Sequence, residues 1–251
     1  PWNKAFAAVP VKGYEVLLVK RVGELVQGLE KVCSGSPDSV GKVDLVKWVS
    51  YLAYDFMGDL VFSGIFNLMV EGNASGLLKR MYDVLVLPNI MQHIPWTLPL
   101  IWKLPIVNAG MFSFIDFAEA QVKRQLVHVL NHADVFHYMI EATEEMDPGM
   151  DPKSLMLWNS ILTIVAGSNT MASVLSNIFY YFIHYPKYYK CLQEEIDEAT
   201  NGAGSVEAER LTNLSFLNAI INETLRLQPM VPTYINCAPA KGSGGQALGA
   251  S

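Results

Sequence analysis

The stretch DPKSLMLWNSILTIVAGSNTMASVLSNIFYYFIHYP, residues 151–186, decides how this chain is read. From Ser154 to Pro186 it contains no Asp, Glu, Lys or Arg. Asp151 followed by Pro152 supplies an N-cap and then a proline at the first helical position, and Pro186 closes the run. The pattern predicts one long helix over about 152–185. Length and apolarity would permit a membrane span. The polar residues argue against it: Asn159, Thr163, Thr170, Ser173 and Asn177 recur at steps of four, seven, three and four, a stripe that lipid would leave unsatisfied. We read a buried helix crossing a large helical protein, with the stripe facing a cavity or a cofactor. The alternative is a helical membrane or transport protein using 154–186 as its span. A plainer account of the stripe is that short polar side chains bond back to their own helix carbonyls.

Within the helix, AGSNT at 166–170 places small residues where Gly167 costs about 1 kcal/mol relative to alanine. A close approach by a flat ligand or another backbone would account for that cost, and Asn169 and Thr170 would supply hydrogen bonds there.

Outward from this segment the pattern stays helical. Val16, Leu17, Val19, Val22, Leu25, Val26 and Leu29 mark an amphipathic helix over 16–32, ended by Ser34-Gly-Ser-Pro37. Asp44 can cap a second helix through Phe62, with Leu45, Trp48, Val49, Leu52, Phe56, Leu60 and Val61 on its packed face. Further helices are expected at 76–86 and 111–139 and after Pro186, and one at about 211–228 carries Glu223 and Arg226, three apart, so that their side chains can meet. Residues 84–102 are charge-free but broken by Pro88, Pro95 and Pro99, so they read as an apolar connection or a short interfacial segment rather than a spanning helix. Alternating strand patterns are almost absent, there is no internal repeat, and the fold class is mainly α.

Composition bounds the function. The 251 residues are 51% hydrophobic and 17% charged, with a mean hydropathy of +0.23, which excludes a disordered chain. Eighteen basic against twenty-four acidic residues give a net charge of −6 without a basic cluster, so no nucleic-acid surface is expected. Cys33, Cys191 and Cys237 are an odd, widely spaced set that reads as reduced, buried thiols. Neither an export signal nor an anchor opens the chain at Pro1, and residues 241–251, KGSGGQALGAS, form a Gly/Ser-rich tail. The whole, 1–251, reads as a single partial domain truncated at both ends.

Taken in order, AGSNT, HYPKYYKCLQEEID (184–197) and NLSFLNAIINETLRLQPMVP (213–232) resemble the haem-thiolate monooxygenases of the cytochrome P450 family, nearest to its fungal members. Residues 2–6, WNKAF, are similar to the stretch after an early haem-contacting helix of that family. The resemblance implies a multi-helix P450-like fold. It matches Thr170 to the catalytic hydroxyl that steers protons during oxygen activation, with Asn169 where the family usually places an acid, and it matches Ala166 and Gly167 to the oxygen and substrate groove. An amide can orient a water but does not ionise near neutral pH, so delivery by an acid–alcohol pair is put in question. Glu223 and Arg226 match the family's structural ion pair, implied to be mutually bonded and largely buried. Ala166, Gly167 and Thr170 are expected to face one internal cavity.

The resemblance further implies a haem iron, a small apolar substrate, electrons from an NADPH–cytochrome reductase, and a full-length protein on the cytosolic face of the endoplasmic reticulum membrane. The family holds iron through a Cys in a Phe-x-x-Gly-x-x-x-Cys-x-Gly loop; Cys237 sits in INCAPA without that frame, so no axial metal ligand is expected in this chain, and as written it is expected to be inactive. A zinc site on His128, His132 and His137 is a further alternative, though the general base of an H-E-x-x-H motif is missing. Sequons at Asn73, Asn213 and Asn222 are read as chance, because reduced cysteines do not suggest secretion.

Overall fold

The computed structural model describes residues 2–35, 42–62, 64, 66–73, 76–82, 94, 96, 105–127, 135, 138, 151–200 and 208–230. Among these, every regular element is helical. In chain order they are α1 (Trp2–Ala5), α2 (Ala8–Ser34), α3 (Leu45–Phe62), α4 (Leu68–Glu71), α5 (Pro105–Val127), α6 (Pro152–His184), α7 (Pro186–Thr200), α8 (Ala208–Leu211) and α9 (Ser215–Leu227). A short helical piece also occupies 77–82. His128, His132, His137, Cys237, the tail 241–251, and residues 84–102 apart from Ile94 and Trp96 lie outside the described residues.

The core is built around α3. Its N-terminus is capped by Asp44, whose Oδ1 accepts from the Lys47 amide at 3.1 Å. From Val49 to Phe62 almost every residue is buried, not one face as the spacing predicts, because α2, α4, α5 and α6 all pack on it. Tyr51, Leu52, Tyr54, Met57, Leu60 and Phe62 join Phe114, Ala118 and Val122 of α5 and Met156, Leu157 and Ile164 of α6 in a continuous apolar cluster. The long helix α6 is the less buried of the two. At 1.5 Å per residue its 33 residues run to about 50 Å against about 27 Å for α3, so part of it extends beyond its neighbours.

Helix α2 turns a different face inward from the one its valines suggest. Tyr14 and Arg21 are buried and Leu17 and Leu25 are packed, while Val16, Val19, Val22 and Val26 are exposed. Arg21 decides the rotation. It is 2% exposed, and its Nε and Nη2 donate to Oδ2 and Oδ1 of Asp59, each at 2.6 Å. Nη1 donates to Glu24 at 2.8 Å and to Asn67 at 3.3 Å, and Nη2 also reaches the Phe66 carbonyl at 3.2 Å. The neighbouring Asp55 is fully buried and accepts the backbone amides of Leu68 and Met69 at 2.8 and 3.0 Å, fixing the first turn of α4. Its carboxyl is pushed up by burial; the Met69 and Leu68 amides and the Arg21 charge pull the other way. One charged cluster therefore ties α2, α3 and α4 together.

The cysteines differ from the sequence reading. Cys33 and Cys191 are free thiols, but Cys33 is exposed at the outer end of α2 and Cys191 is only half-buried on α7.

Candidate active site

Helix α6 starts where the sequence places it. Asp151 accepts from the amides of Lys153 and Ser154 at 3.3 and 3.1 Å and from the Ser154 hydroxyl at 2.7 Å. These donors hold its carboxyl below the ordinary range. Four turns further on, AGSNT divides between two faces of the helix. A Cβ on Gly167 would lie 2.5 Å from Cε and 2.8 Å from Sδ of Met57, so the glycine makes room for the end of that side chain. Ala166 is exposed and Thr170 half-exposed. Contact with the Met57 side chain accounts for a glycine at position 167.

The polar stripe resolves into two behaviours. Thr163 donates to the Asn159 carbonyl at 2.7 Å, and Thr170 donates to the Ala166 carbonyl at 2.6 Å with a longer reach of 3.3 Å to Gly167. Ser176 does the same to Ala172 at 2.7 Å. These hydroxyls satisfy themselves on their own helix. Asn169 does not: its Oδ1 accepts from the Tyr54 hydroxyl of α3 at 2.8 Å, while its buried Nδ2 has no partner among the described residues. Tyr54 is 0% exposed, and burial pushes its phenol well above the usual tyrosine range, so it remains a neutral donor. Asn169 also lines a cavity of about 580 Å³ together with Ser50, Tyr82, Ser173, Asn177 and Gln228.

On α9, Arg226 bonds Glu223 in a fork, Nε to Oε2 and Nη2 to Oε1, both at 2.6 Å. The guanidinium holds the Glu223 carboxyl below its ordinary range. The pair is not buried, however: the side chains are 67% and 55% exposed for Arg226 and Glu223. Helix α9 packs on α6 and α7 through its other face, where Thr224 is buried, and no described residue covers the ion pair. Its start also departs from the expected boundary. A four-residue helix, α8, ends at Leu211 and α9 begins at Ser215, because Leu214 cannot cap it and Glu195 of α7 accepts the Phe216 and Leu217 amides at 2.8 and 2.9 Å instead. A second cavity, about 690 Å³, lies between α6, α7 and α9 and is lined by Tyr181, Phe182, Tyr185, Tyr188, Phe216 and Glu223 among others.

Tyr54 and the Arg21–Asp59 cluster were not evident from the sequence. Asp55 and Asp59, four apart in an otherwise apolar helix, are the signal for the second; nothing local marks Tyr54, whose partner is 115 residues away.

The fit of a flat apolar cofactor can be judged from α6. Trp158, Leu162, Ala166 and Thr170 recur at four-residue steps along one side, with Trp158 and Leu162 55% and 57% exposed and Ala166 contributing only a methyl group. Among the described residues nothing covers Trp158, Leu162 and Ala166, so this apolar side of α6 leaves room for a flat apolar group. The described cysteines, Cys33 and Cys191, are on α2 and α7 rather than beside that face.

Residues 3–238 match the family model described as Cytochrome P450. The chain belongs to the cytochrome P450 family. It is 29% identical over 247 residues to "Cytochrome P450 monooxygenase notG'" of Aspergillus versicolor, covering 96% of this chain and 43% of that protein. It is also 25% identical over 236 residues to "Tryprostatin B 6-hydroxylase" of Aspergillus fumigatus, covering 93% of this chain and 41% of that one. Among solved structures, the heme domain of cytochrome P450DA aligns with a TM-score of 0.67 at 16% identity, over 89% of this chain and 47% of that domain; at this identity the likeness concerns the fold. This P450 chain thus spans less than half the length of the curated relatives it matches. The transport-protein reading of 154–186 is not supported. Lys153–His184 is long and apolar enough to cross a membrane by length and composition, but in this P450 chain it packs against α3, α5, α7 and α9.

Proposed function

We propose that the whole protein is a haem-dependent monooxygenase that inserts one oxygen atom of O2 into a small apolar organic substrate. Bound haem would supply the oxidative chemistry, with electrons from an NADPH–cytochrome reductase. The observation that carries this reading is the uncovered face of α6, where Ala166 and Thr170 lie between apolar neighbours in a member of the P450 family. Ala166 leaves room there for substrate and oxygen, while Gly167 makes room for the end of the Met57 side chain from α3. Thr170 holds its proton on the Ala166 carbonyl and keeps hydroxyl lone pairs to accept from a water on the open side. Asn169 cannot relay a proton by ionising, so its part is to orient water. Glu223 and Arg226, paired with each other on the exposed side of α9, are inferred to be the family's structural ion pair.

The relative named as a hydroxylase makes hydroxylation the product class we infer. We also infer association with the endoplasmic reticulum membrane on its cytosolic face. Full-length protein should show a thiolate-type Soret band when reduced under carbon monoxide, and should place one 18O atom from labelled O2 in its product. An absent band, or label arriving from water, would overturn the assignment. The 251-residue chain with haemin should lack that band; a band lost in Cys237→Ser would mean that Cys237 is a ligand.

A further inference from the structure

We propose that Tyr54 is a positioning residue that fixes the side-chain amide of Asn169 with Nδ2 as a free, immobile hydrogen-bond donor beside Thr170. This rests on the monooxygenase reading and deepens it.

A side-chain amide can point either way, because its oxygen and nitrogen are nearly the same shape; the partners it meets set the orientation. Here the partner is a phenol with no accessible surface, on a helix buried on nearly all sides. An ionised phenolate would accept and turn Nδ2 inward. A neutral phenol can donate or accept; here Tyr54 Oη donates to Oδ1 at 2.8 Å, which turns Nδ2 away from the phenol. What remains of Asn169 is two N–H donors, buried and unpartnered among the described residues, next in sequence to Thr170. Leaving such a donor unmet costs free energy, so an acceptor is required, and a water oxygen is the acceptor of suitable size.

The two neighbouring side chains then play opposite parts. Thr170 has spent its donor on the Ala166 carbonyl and offers lone pairs, whereas Asn169 has spent its acceptor on Tyr54 and offers protons. A water between them can donate to one and accept from the other, which gives it a defined orientation. No proton leaves Asn169 at any point. Position 169 orders water as a donor, and Tyr54, in another helix 115 residues away in sequence, makes it one.

The test uses full-length, haem-loaded protein and four forms: the natural sequence, Tyr54→Phe, Asn169→Ala and the double variant. Two quantities are read. The first is the share of reducing equivalents released as hydrogen peroxide rather than product, which rises when the ordered water is lost. The second is the balance of ferric spin states in the resting spectrum, which needs no turnover. Tyr54→Phe should raise the peroxide share about fivefold, the scale of one net hydrogen bond, and shift the spin balance while haem content stays normal. Asn169→Ala should do the same, and the double variant should do no more than either alone. Additive effects would overturn the proposal, as would an unchanged peroxide share in Tyr54→Phe. Where that variant does not accumulate, Tyr54→Met, a smaller and more adaptable side chain without the donor, must give the same pattern. If the natural protein has a thiolate Soret band but makes no oxygenated product, the monooxygenase reading fails. The unfolding midpoints of the same four forms then still test the Tyr54–Asn169 contact, which additivity would refute.

Discussion

Replacing Arg21 by methionine keeps most of the side-chain volume and removes one charge from the centre of the α2–α3–α4 junction. In the natural chain the guanidinium makes two 2.6 Å bonds to Asp59 and a 2.8 Å bond to Glu24, and lies 3.8 Å from Asp55. Glu24 is partly exposed and can turn to water, whereas Asp59 and Asp55 cannot. Breaking a buried pair by removing one partner costs about 3–5 kcal/mol. A domain's whole stability is about 5–15 kcal/mol, so the variant should be folded only marginally. With a urea dependence of about 2–3 kcal/mol per molar, the unfolding midpoint should fall by about 1–2 M.

The pH dependence of the Arg21→Met penalty gives a second check. Burial raises the Asp55 carboxyl in the native protein, and without the Arg21 charge it should rise further. A carboxyl raised on folding contributes stability below its unfolded value and loses it as pH climbs through the folded value, so the penalty should shrink as pH falls through the raised folded value of Asp55. The double variant Arg21→Met, Asp59→Leu should recover much of the loss, since it removes the stranded charge along with the pair. A single-variant penalty below about 1 kcal/mol, or a double variant no better than the single, would refute the assignment of a buried, interdependent cluster.

Gly167→Ala should be nearly neutral, because the flexible end of Met57 can move aside and alanine regains about 1 kcal/mol of helix propensity; Gly167→Val should cost about 1–3 kcal/mol, partly restored by Met57→Ala, as thermal unfolding would show. Glu195 is held below the ordinary carboxylate range by the Phe216 amide first and by Leu217 and Ser215 in addition. Its contribution is therefore present above the unfolded value and is lost as pH falls through the lower folded value. Glu195→Gln should flatten the acid limb of a stability–pH curve, and an unchanged limb would count against this cap. Glu223→Ala should leave the melting temperature of this chain unchanged within error, since the pair is solvent-exposed here; a large drop would show that it is covered.

Periodicity and capping chemistry made the helices legible, α6 most of all, because Asp151-Pro152 and Pro186 bracket a run with no charged residue. What one helix presents to another was less legible. The valines of α2 look like a packing face, yet the bidentate bond between Arg21 and Asp59 outweighs them and turns them outward. In the site, Thr170 and Asn169 read alike as polar neighbours on one stripe, and they differ only because α3 brings a phenol to one of them. Burial of Glu223 and Arg226 was expected from family resemblance, whereas their spacing alone promised no more than the contact that is found.

The all-round burial of α3 bears on how the chain acquires and loses its structure in time. Its partners come from residues well before and well after it: Arg21 is 38 positions away from Asp59, and Asn169 is 115 from Tyr54. Closing loops of that length makes assembly slow relative to formation of the individual helices, so isolated helical segments should appear first and wait for α3 to gather them. Once gathered, the amide protons of Val49–Phe62 can exchange with solvent only when α2, α5 and α6 come away as well, which makes this helix the slowest-exchanging segment of the described chain.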